Sequence, residues 1–170
     1  MVLENYIRDI PDYPKPGILF KDITPLLHNP EALKESVAQL SSVIAPGSIT
    51  CVAGIESRGF IFGAAVACEL GVGFIPIRKP GKLPAETISE SYELEYGTDT
   101  IEMHRDAVTD QDHVLLIDDL LATGGTMSAA VRLIEKAGAH VAQIAFVVEL
   151  EFLNGREKLD GYPVTSLIRF

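Results

Sequence analysis

The sequence predicts an α/β fold with a mostly parallel central sheet, and we expect the whole chain, residues 1–170, to form one domain. Short apolar segments typical of buried strands alternate with amphipathic segments of helical periodicity. Neither an internal repeat nor a linker-like stretch interrupts them. With 170 residues, 47% hydrophobic and 22% charged, the chain can bury a sizeable core.

The first half of the chain contains predicted helices and strands in alternation. We predict a short helix over 2–9, an irregular proline-rich segment, a helix over 31–44, a strand over 50–54, a helix over 58–70 and a strand over 74–77. Pro30 suits the start of the second helix. Ser57 is a candidate N-cap for the third helix, and Gly71 is its candidate end.

The second half begins with an interruption of this pattern. Between about residues 80 and 98 we predict a long irregular connection, of the kind that often covers an active site. A returning strand over 100–105, strands over 113–118, 140–149 and near 163–168, and a helix over 126–137 follow. Ligands bind at the carboxyl ends of parallel strands, so the segments after Gly54, Ile77 and Asp118 are predicted to meet.

Charge and cysteine content restrict the possible partners. The formal net charge is −10 without an evident basic face, so we expect neither nucleic acid nor an anionic membrane as a partner. The acidic N-terminal segment is not that of a signal peptide, and no apolar run approaches a membrane span. We interpret Cys51 and Cys68 as buried, reduced thiols, which favours a cytoplasmic location.

The most informative segment is the predicted strand that runs into Asp118 and Asp119, followed by a small-residue loop and a helix. Backbone N–H groups at Thr123-Gly-Gly-Thr126 and the helix dipole suit a phosphate. Carboxylates repel phosphate, so the acid pair indicates a ligand that also carries hydroxyls, such as a ribose 5-phosphate. The alternative is an ordinary strand-to-helix turn. Neither the Walker A nor the dinucleotide-binding glycine spacing is present.

This segment resembles the 5-phosphoribosyl-1-pyrophosphate (PRPP) motif of type I phosphoribosyltransferases, in the form found in adenine phosphoribosyltransferases. The resemblance implies that Asp118 and Asp119 hold the ribose hydroxyls. It implies that the 5′-phosphate binds to Ala122, Thr123, Gly124, Gly125 and Thr126. It also implies the type I fold, with a small N-terminal hood at about residues 1–30 and a flexible catalytic loop at about 80–98.

A second strand–loop–helix junction surrounds Glu56, Ser57 and Arg58. From the residues alone it is either a second anion site or a structural helix cap. It resembles the family's pyrophosphate loop, which implies a non-proline cis peptide between Glu56 and Ser57. The resemblance also gives Arg58 a catalytic place, where it would reach the purine or the phosphates.

The only dense basic cluster is Arg78, Lys79 and Lys82. It is a candidate pyrophosphate clamp, and the alternative is a solvated positive patch. The family uses this segment at the pyrophosphate, often across a dimer interface. The resemblance therefore implies a homodimer.

The proline-rich segment around Phe20 is the candidate base site. A rigid aromatic suits stacking on a flat heterocycle, although Phe20 could equally be a core residue. The segment resembles the family's adenine-binding hood. The resemblance implies that Phe20 stacks on the base and that backbone groups near Ile18 and Lys21 contact its edge.

The segment 91–97 resembles the family's catalytic loop. The resemblance implies that Glu95 transfers a proton and that Tyr96 belongs to the loop; from the residues alone, Glu95 would be a surface carboxylate. The four histidines show no ligand spacing, so we expect no direct protein ligands for a metal. Mg²⁺ would instead arrive with PRPP.

The activity implied by the resemblance is purine salvage, in which adenine and PRPP give AMP and pyrophosphate. One alternative keeps the fold and uses a 6-oxopurine such as xanthine, which a comparison of bases would reveal. The other is a non-catalytic PRPP or purine sensor. Such regulators carry a DNA-binding module, for which we find no residues to spare, and the chain retains the candidate catalytic loop.

Overall fold

The computed structural model describes residues 1–94 and 96–170 and contains a five-stranded parallel sheet. Its strands, in chain order, are β3 (Cys51–Ile55), β4 (Gly73–Ile77), β7 (His113–Leu121), β8 (His140–Glu149) and β9 (Val164–Arg169). They lie in the spatial order β4-β3-β7-β8-β9, and all four pairings are parallel. The predicted α/β fold with a mostly parallel sheet is confirmed.

Helices cover both faces of this sheet. They are α1 (Thr24–His28), α2 (Pro30–Ser42), α3 (Arg58–Leu70) and α4 (Gly125–Lys136). Side chains of β3 and β7 alternate between two hydrophobic clusters, as expected for strands buried on both sides. Ala53 and Leu116 pack with α4, whereas Val52 and Ile117 pack with α2 and α3. Among the described residues, no helix is both long enough and apolar enough to span a membrane.

The N-terminal prediction was wrong beyond its first turn. A 3₁₀ helix covers Leu3–Tyr6, and the chain then forms β1 (Arg8–Pro11), paired antiparallel with β2 (Leu19–Asp22). The apolar residues that suggested one helical face therefore belong to two elements. Pairing with β2 and an ion pair between Arg8 and Asp22, at 2.6 Å, override the local helical pattern.

The predicted irregular connection over 80–98 contains one strand that we did not predict, and the predicted returning strand over 100–105 is confirmed; the two form a second antiparallel hairpin. It consists of β5 (Thr87–Glu93) and β6 (Thr98–His104), with Ile101 and Met103 of β6 buried in the core. Strand β5 has no fully buried residue and many of its side chains are polar, which hides its pattern in the sequence. Residue Glu95 lies outside the described residues.

Two further 3₁₀ helices, Glu151–Leu153 and Gly155–Leu159, lie between β8 and β9. Cys51 is buried as predicted, but Cys68 is exposed, so that prediction was wrong. Cys68 lies on the face of α3 that points away from the sheet. The apolar residues around Cys68 in the sequence extend beyond the buried face of this helix.

Candidate active site

The phosphate loop, residues 122–126, follows β7 directly. Strand β7 continues through both acids to Leu121, three residues beyond its predicted end at residue 118. Helix α4 then begins at Gly125, with Gly124 in the left-handed conformation at the N-cap position (φ 84°). The free N–H groups of the first turn of α4 and its dipole therefore face the end of the sheet, where they favour an anion.

The two acids of β7 have different environments. Asp119 is 5% exposed, and the Arg58 guanidinium donates to it with Nε 2.5 Å from Oδ2. Asp118 is half-buried, and its Oδ1 accepts a hydrogen bond from the Asp119 backbone N–H at 2.8 Å. Burial, followed by the negative charge of Asp119, raises the pKa of Asp118 well above its ordinary value. The acid pair therefore consists of one paired carboxylate and one that resists ionisation.

Helix α3 brings its N-terminus against this pair. A Cβ atom on Gly59 would lie 2.8 Å from Asp118 Oδ1, so only glycine allows this approach. The preceding Glu56–Ser57 peptide bond is cis, which confirms the prediction. Ser57 occupies the predicted N-cap position, but its exposed side chain makes no capping hydrogen bond. The hydroxyl therefore remains available to a ligand.

The basic cluster is partly neutralised within its own chain. Glu56 accepts the Lys79 backbone N–H at 2.6 Å, and its Oε1 lies 3.4 Å from Arg78 Nε. The Lys79 ammonium contacts Asp99 and also donates to the Tyr92 hydroxyl at 3.1 Å. An anion entering here would compete with these acidic partners.

Asp99 and Tyr92 are site residues that we did not predict. The hydrogen bond from Lys79 lowers the pKa of Asp99, which keeps its carboxylate charged beside the lysine. Lys79 and Asp99 are 20 positions apart, and only the pairing of β5 with β6 and their position beside β4 bring them together. No local signal in the sequence distinguishes Asp99 from a surface acid.

Most of the predicted phosphate- and ribose-binding residues meet at one edge of the sheet. A cavity of about 240 Å³ is lined by Ile55, Glu56, Ser57, Arg58, Lys79, Tyr92, Asp118, Asp119 and Thr126. A smaller one, of about 80 Å³, lies within the phosphate loop and shares Asp118 and Thr126 with the first. An acid pair between a helix N-terminus and a cationic wall can hold a ribose that carries phosphate at both ends. Lys82 is exposed and, among the described lining residues, is not part of either cavity.

The candidate base site lies on the β1–β2 hairpin. The Phe20 ring is half-buried and packs edge-on against Tyr13, with ring centroids 5.1 Å apart. The Lys21 ammonium donates to Asp9 at 2.6 Å and lies 3.8 Å from the centre of the Phe170 ring. These two contacts engage the Lys21 side chain within its own chain.

Ile18 is exposed at the tip of the same hairpin. Its carbonyl already accepts the Tyr13 N–H at 3.2 Å, and its own N–H makes a longer bond of 3.3 Å to Lys15. Among the described residues that line the two cavities, none comes from this hairpin. Ile18, Phe20 and Lys21 are therefore not lining residues of the two cavities at the acid pair.

The predicted catalytic loop contains Glu95 and Tyr96. Tyr96 is 85% exposed, and the Leu94 N–H donates to the Gly97 carbonyl at 2.9 Å. Glu95, the predicted proton-transfer residue, lies outside the described residues. Within residues 1–94 and 96–170, no group of three or more His, Cys, Asp or Glu side chains is arranged to hold a metal ion.

Comparison with known proteins shows the family. The family described as phosphoribosyl transferase domain matches residues 22–168. A protein of Nitrosococcus oceani named adenine phosphoribosyltransferase is 59% identical, over 99% of this chain and 98% of that protein. The crystal structure of adenine phosphoribosyltransferase from Thermoanaerobacter pseudethanolicus has a TM-score of 0.95 and 54% identity, covering 99% of this chain and 98% of that one.

A more distant structure includes ligands. The Saccharomyces cerevisiae adenine phosphoribosyltransferase, complexed with adenine and an imino-altritol bisphosphate, has a TM-score of 0.91 and 40% identity, covering 97% of this chain and 96% of that one. The fold is that of type I phosphoribosyltransferases. From this similarity over nearly the full length, together with the acid pair and phosphate loop at the sheet edge, we conclude that the chain belongs to the adenine phosphoribosyltransferase family.

Proposed function

We propose that this chain transfers the 5-phosphoribosyl group of PRPP to adenine, giving AMP and pyrophosphate in purine salvage. The observation that carries the proposal is the continuity of one site. The phosphate loop and the Glu56–Lys79 wall line two cavities that share Asp118 and Thr126. This continuity supports binding of the 5-phosphate at the loop, the ribose at the acid pair and the pyrophosphate at the wall. The family relationship and the adenine bound by the yeast relative support adenine as the acceptor.

The phosphate loop and the acid pair fix the ribose 5-phosphate. Backbone N–H groups at residues 122–126, with the hydroxyls of Thr123 and Thr126, hold the phosphate at the N-terminus of α4. Asp118 and Asp119 accept hydrogen bonds from the ribose hydroxyls. Arg58 holds Asp119 in one orientation through the 2.5 Å contact, which pre-organises the acceptor.

The opposite wall stabilises the leaving pyrophosphate. Lys79 supplies positive charge on this wall, and Arg78 and Lys82, which are not among the described lining residues, add positive charge beside it. The Ser57 backbone N–H supplies a donor, whereas the Glu56 N–H already donates to the Ile77 carbonyl at 2.9 Å. A Mg²⁺ ion bound with PRPP would be held mainly by PRPP oxygens and water, and it would supply positive charge at the pyrophosphate. A cation near Asp118 would favour the ionised form of this side chain, because a positive charge offsets the repulsion between the two carboxylates.

Residues of the two hairpin segments bind the purine base and transfer the proton. Phe20 stacks on adenine, while backbone groups near Ile18 and Lys21 contact its edge. Displacement of pyrophosphate breaks the bond from the anomeric carbon to oxygen and forms a bond to a purine nitrogen. Glu95 handles the proton that this nitrogen loses, and Tyr96 helps the segment 94–97 to cover the site and exclude water.

We also propose a cytoplasmic homodimer of single-domain subunits. The proposal rests on the family's use of the Arg78–Lys82 segment across subunits and on the exposed position of Lys82. Light scattering after gel filtration would measure the mass of the assembly, and a monomer at working concentration would contradict this part of the proposal.

The decisive experiment measures pyrophosphate release from PRPP and Mg²⁺ with adenine, hypoxanthine, guanine or xanthine supplied separately. Turnover with adenine alone is the expected result. Turnover only with a 6-oxopurine would keep the PRPP site and overturn the base assignment. PRPP binding without turnover on any base would instead favour the sensor.

A further inference from the structure

The phosphate loop rests on the Gly155–Leu159 3₁₀ helix through a contact between two glycines. A Cβ atom on Gly155 would overlap the Ala122 carbonyl oxygen, and a Cβ atom on Gly124 would overlap the Gly155 carbonyl oxygen. Gly124 also has a φ of 84°, which disfavours any side chain there. The two backbones are therefore in direct contact, and a displacement of Gly155 must displace the loop.

An ion pair between the half-buried Arg156 and the buried Glu149 fixes the position of Gly155. The Arg156 guanidinium donates to both carboxylate oxygens of Glu149, at 2.7 and 2.8 Å. It also donates to the Val164 carbonyl at 2.9 Å. Glu149 is only 4% exposed and lies at the end of β8, so the pair connects the 3₁₀ helix to the central sheet.

A backbone hydrogen bond joins the residue after β8 to the start of the loop. The Leu150 N–H donates to the Leu121 carbonyl at 2.9 Å, and Leu121 is the last residue of β7. A Cβ atom on Gly155 would also lie 2.9 Å from Leu121 Cδ1. Gly155 is thus fixed to the sheet through β8, and the start of the phosphate loop is fixed to it through β7.

We propose that Glu149, Arg156 and Gly155 are positioning residues that hold the phosphate loop in its anion-binding conformation. The inference rests on the proposed function, since it takes the 5-phosphate as the ligand of the loop. None of the three residues lines the cavity at the acid pair. They act through the loop backbone, whose N–H groups must converge on one phosphate to bind it.

A positioning role predicts a selective loss. Adenosine and AMP differ only by the 5-phosphate, so the ratio of their inhibition constants isolates the contribution of the loop. A change that merely destabilises the protein affects both ligands equally. A change that misplaces the loop weakens AMP and spares adenosine.

The test uses Gly155→Ala and Arg156→Lys, with inhibition constants for AMP and adenosine measured in the forward reaction. Gly155→Ala places a methyl group against the Ala122 carbonyl, and Arg156→Lys keeps the charge but loses the two-pronged contact with Glu149. We expect the AMP constant to rise about 10- to 100-fold in Gly155→Ala and by a smaller factor in Arg156→Lys. The adenosine constant should stay within about twofold in both variants.

Two matched controls accompany these variants. Gly73→Ala adds a methyl group at an exposed glycine with nothing within 4 Å of the new atom. Arg105→Lys changes an arginine that pairs with Glu86 at an exposed site. Both should leave the ratio of the two constants unchanged, and thermal unfolding checks that every variant is folded.

Equal weakening of AMP and adenosine, or an unchanged AMP constant in folded Arg156→Lys, would overturn the inference. If Gly155→Ala does not fold, Arg156→Lys decides alone. Failure of the unsubstituted chain to bind AMP would overturn the proposed function, and this inference with it.

Discussion

The sheet edge and the two hairpins contribute different things to the site. Asp118 and Asp119 lie on β7, the middle strand of the five-stranded sheet, directly after four fully buried residues. The β1–β2 and β5–β6 hairpins are two-stranded, and most of their side chains are exposed or half-buried. The sheet therefore provides a support that is buried on both faces, whereas the hairpins lie outside it and are more exposed to solvent.

This difference suits the two halves of the proposed substrate pair. The phosphoribosyl group and pyrophosphate carry several charges, and their binding requires backbone donors and acids held in fixed positions. Adenine is flat and uncharged, so one aromatic ring and a few backbone groups on a small hairpin suffice. We therefore expect substitutions at the sheet edge to remove binding, and substitutions on the hairpins to alter turnover or base affinity.

The largest effect is expected from the double substitution Asp118→Asn and Asp119→Asn. It removes both negative charges and one acceptor oxygen from each side chain, including the charged partner of Arg58, so PRPP binding should become undetectable by calorimetry. The matched control, Asp106→Asn with Asp110→Asn, changes two exposed acids and should bind normally. Normal PRPP affinity in the double variant would refute the ribose assignment.

The next effect belongs to the β5–β6 hairpin, where Glu95→Gln should separate turnover from binding. Loss of a general acid or base lowers kcat by about 10²–10⁴-fold, while the KM for PRPP should change little. Steady-state kinetics give both values, and Glu86→Gln, at an exposed acid before the hairpin, is the control. Unchanged turnover would remove Glu95 from the chemistry.

A smaller effect is expected on the β1–β2 hairpin. Phe20→Ala removes a stacking interaction of about 0.5–1.5 kcal/mol, so the KM for adenine should rise roughly 2- to 10-fold. The KM for PRPP should remain constant, which kinetics with one substrate varied at a time will show. Phe152, which is 69% exposed, provides the control Phe152→Ala. Equal changes in both KM values would mean that Phe20 is a structural residue.

The smallest effect concerns stability at the sheet edge. Because the pKa of Asp118 is raised above its ordinary value of 3.8, the folded chain binds this proton more tightly than the unfolded chain. Ionisation of Asp118 therefore lowers the free energy of unfolding as pH rises from that ordinary value. Asp118→Asn should raise Tm near pH 7.5, by about 2–4 °C for each kcal/mol regained.

This gain should disappear below about pH 4, where Asp118 is protonated in both states. Thermal unfolding at the two pH values measures it, with Asp106→Asn as the control at an exposed acid. A Tm difference independent of pH would show that Asp118 is an ordinary carboxylate. Ionisation of Asp118 thus lowers the stability of the folded chain at the ligand-binding edge of the sheet.

The sheet half was the more predictable one. The bounds of α3 and β8 agree with those predicted, because buried strands and one-sided helices leave a clear periodic pattern in the sequence. The cis bond after Glu56 was expected from family resemblance alone. The β1–β2 hairpin and strand β5 were missed because they are covered on one side only, which leaves too few apolar residues to form a pattern, whereas the returning strand β6 was predicted.

The sequence by itself determined the α/β alternation, the acid pair followed by a phosphate loop, and the family, because each depends on residues close together in the chain. The tertiary structure alone decided that Asp119 is paired with Arg58, that Asp118 resists ionisation, and that Lys79 faces Asp99. It also decided that Gly155 supports the phosphate loop. Arg58 and Asp119 are 61 positions apart in the chain, and Lys79 and Asp99 are 20 positions apart. Gly155 and Gly124 belong to two separate elements. Local periodicity carries no information about such contacts, since the packing of sheet, helices and hairpins creates them.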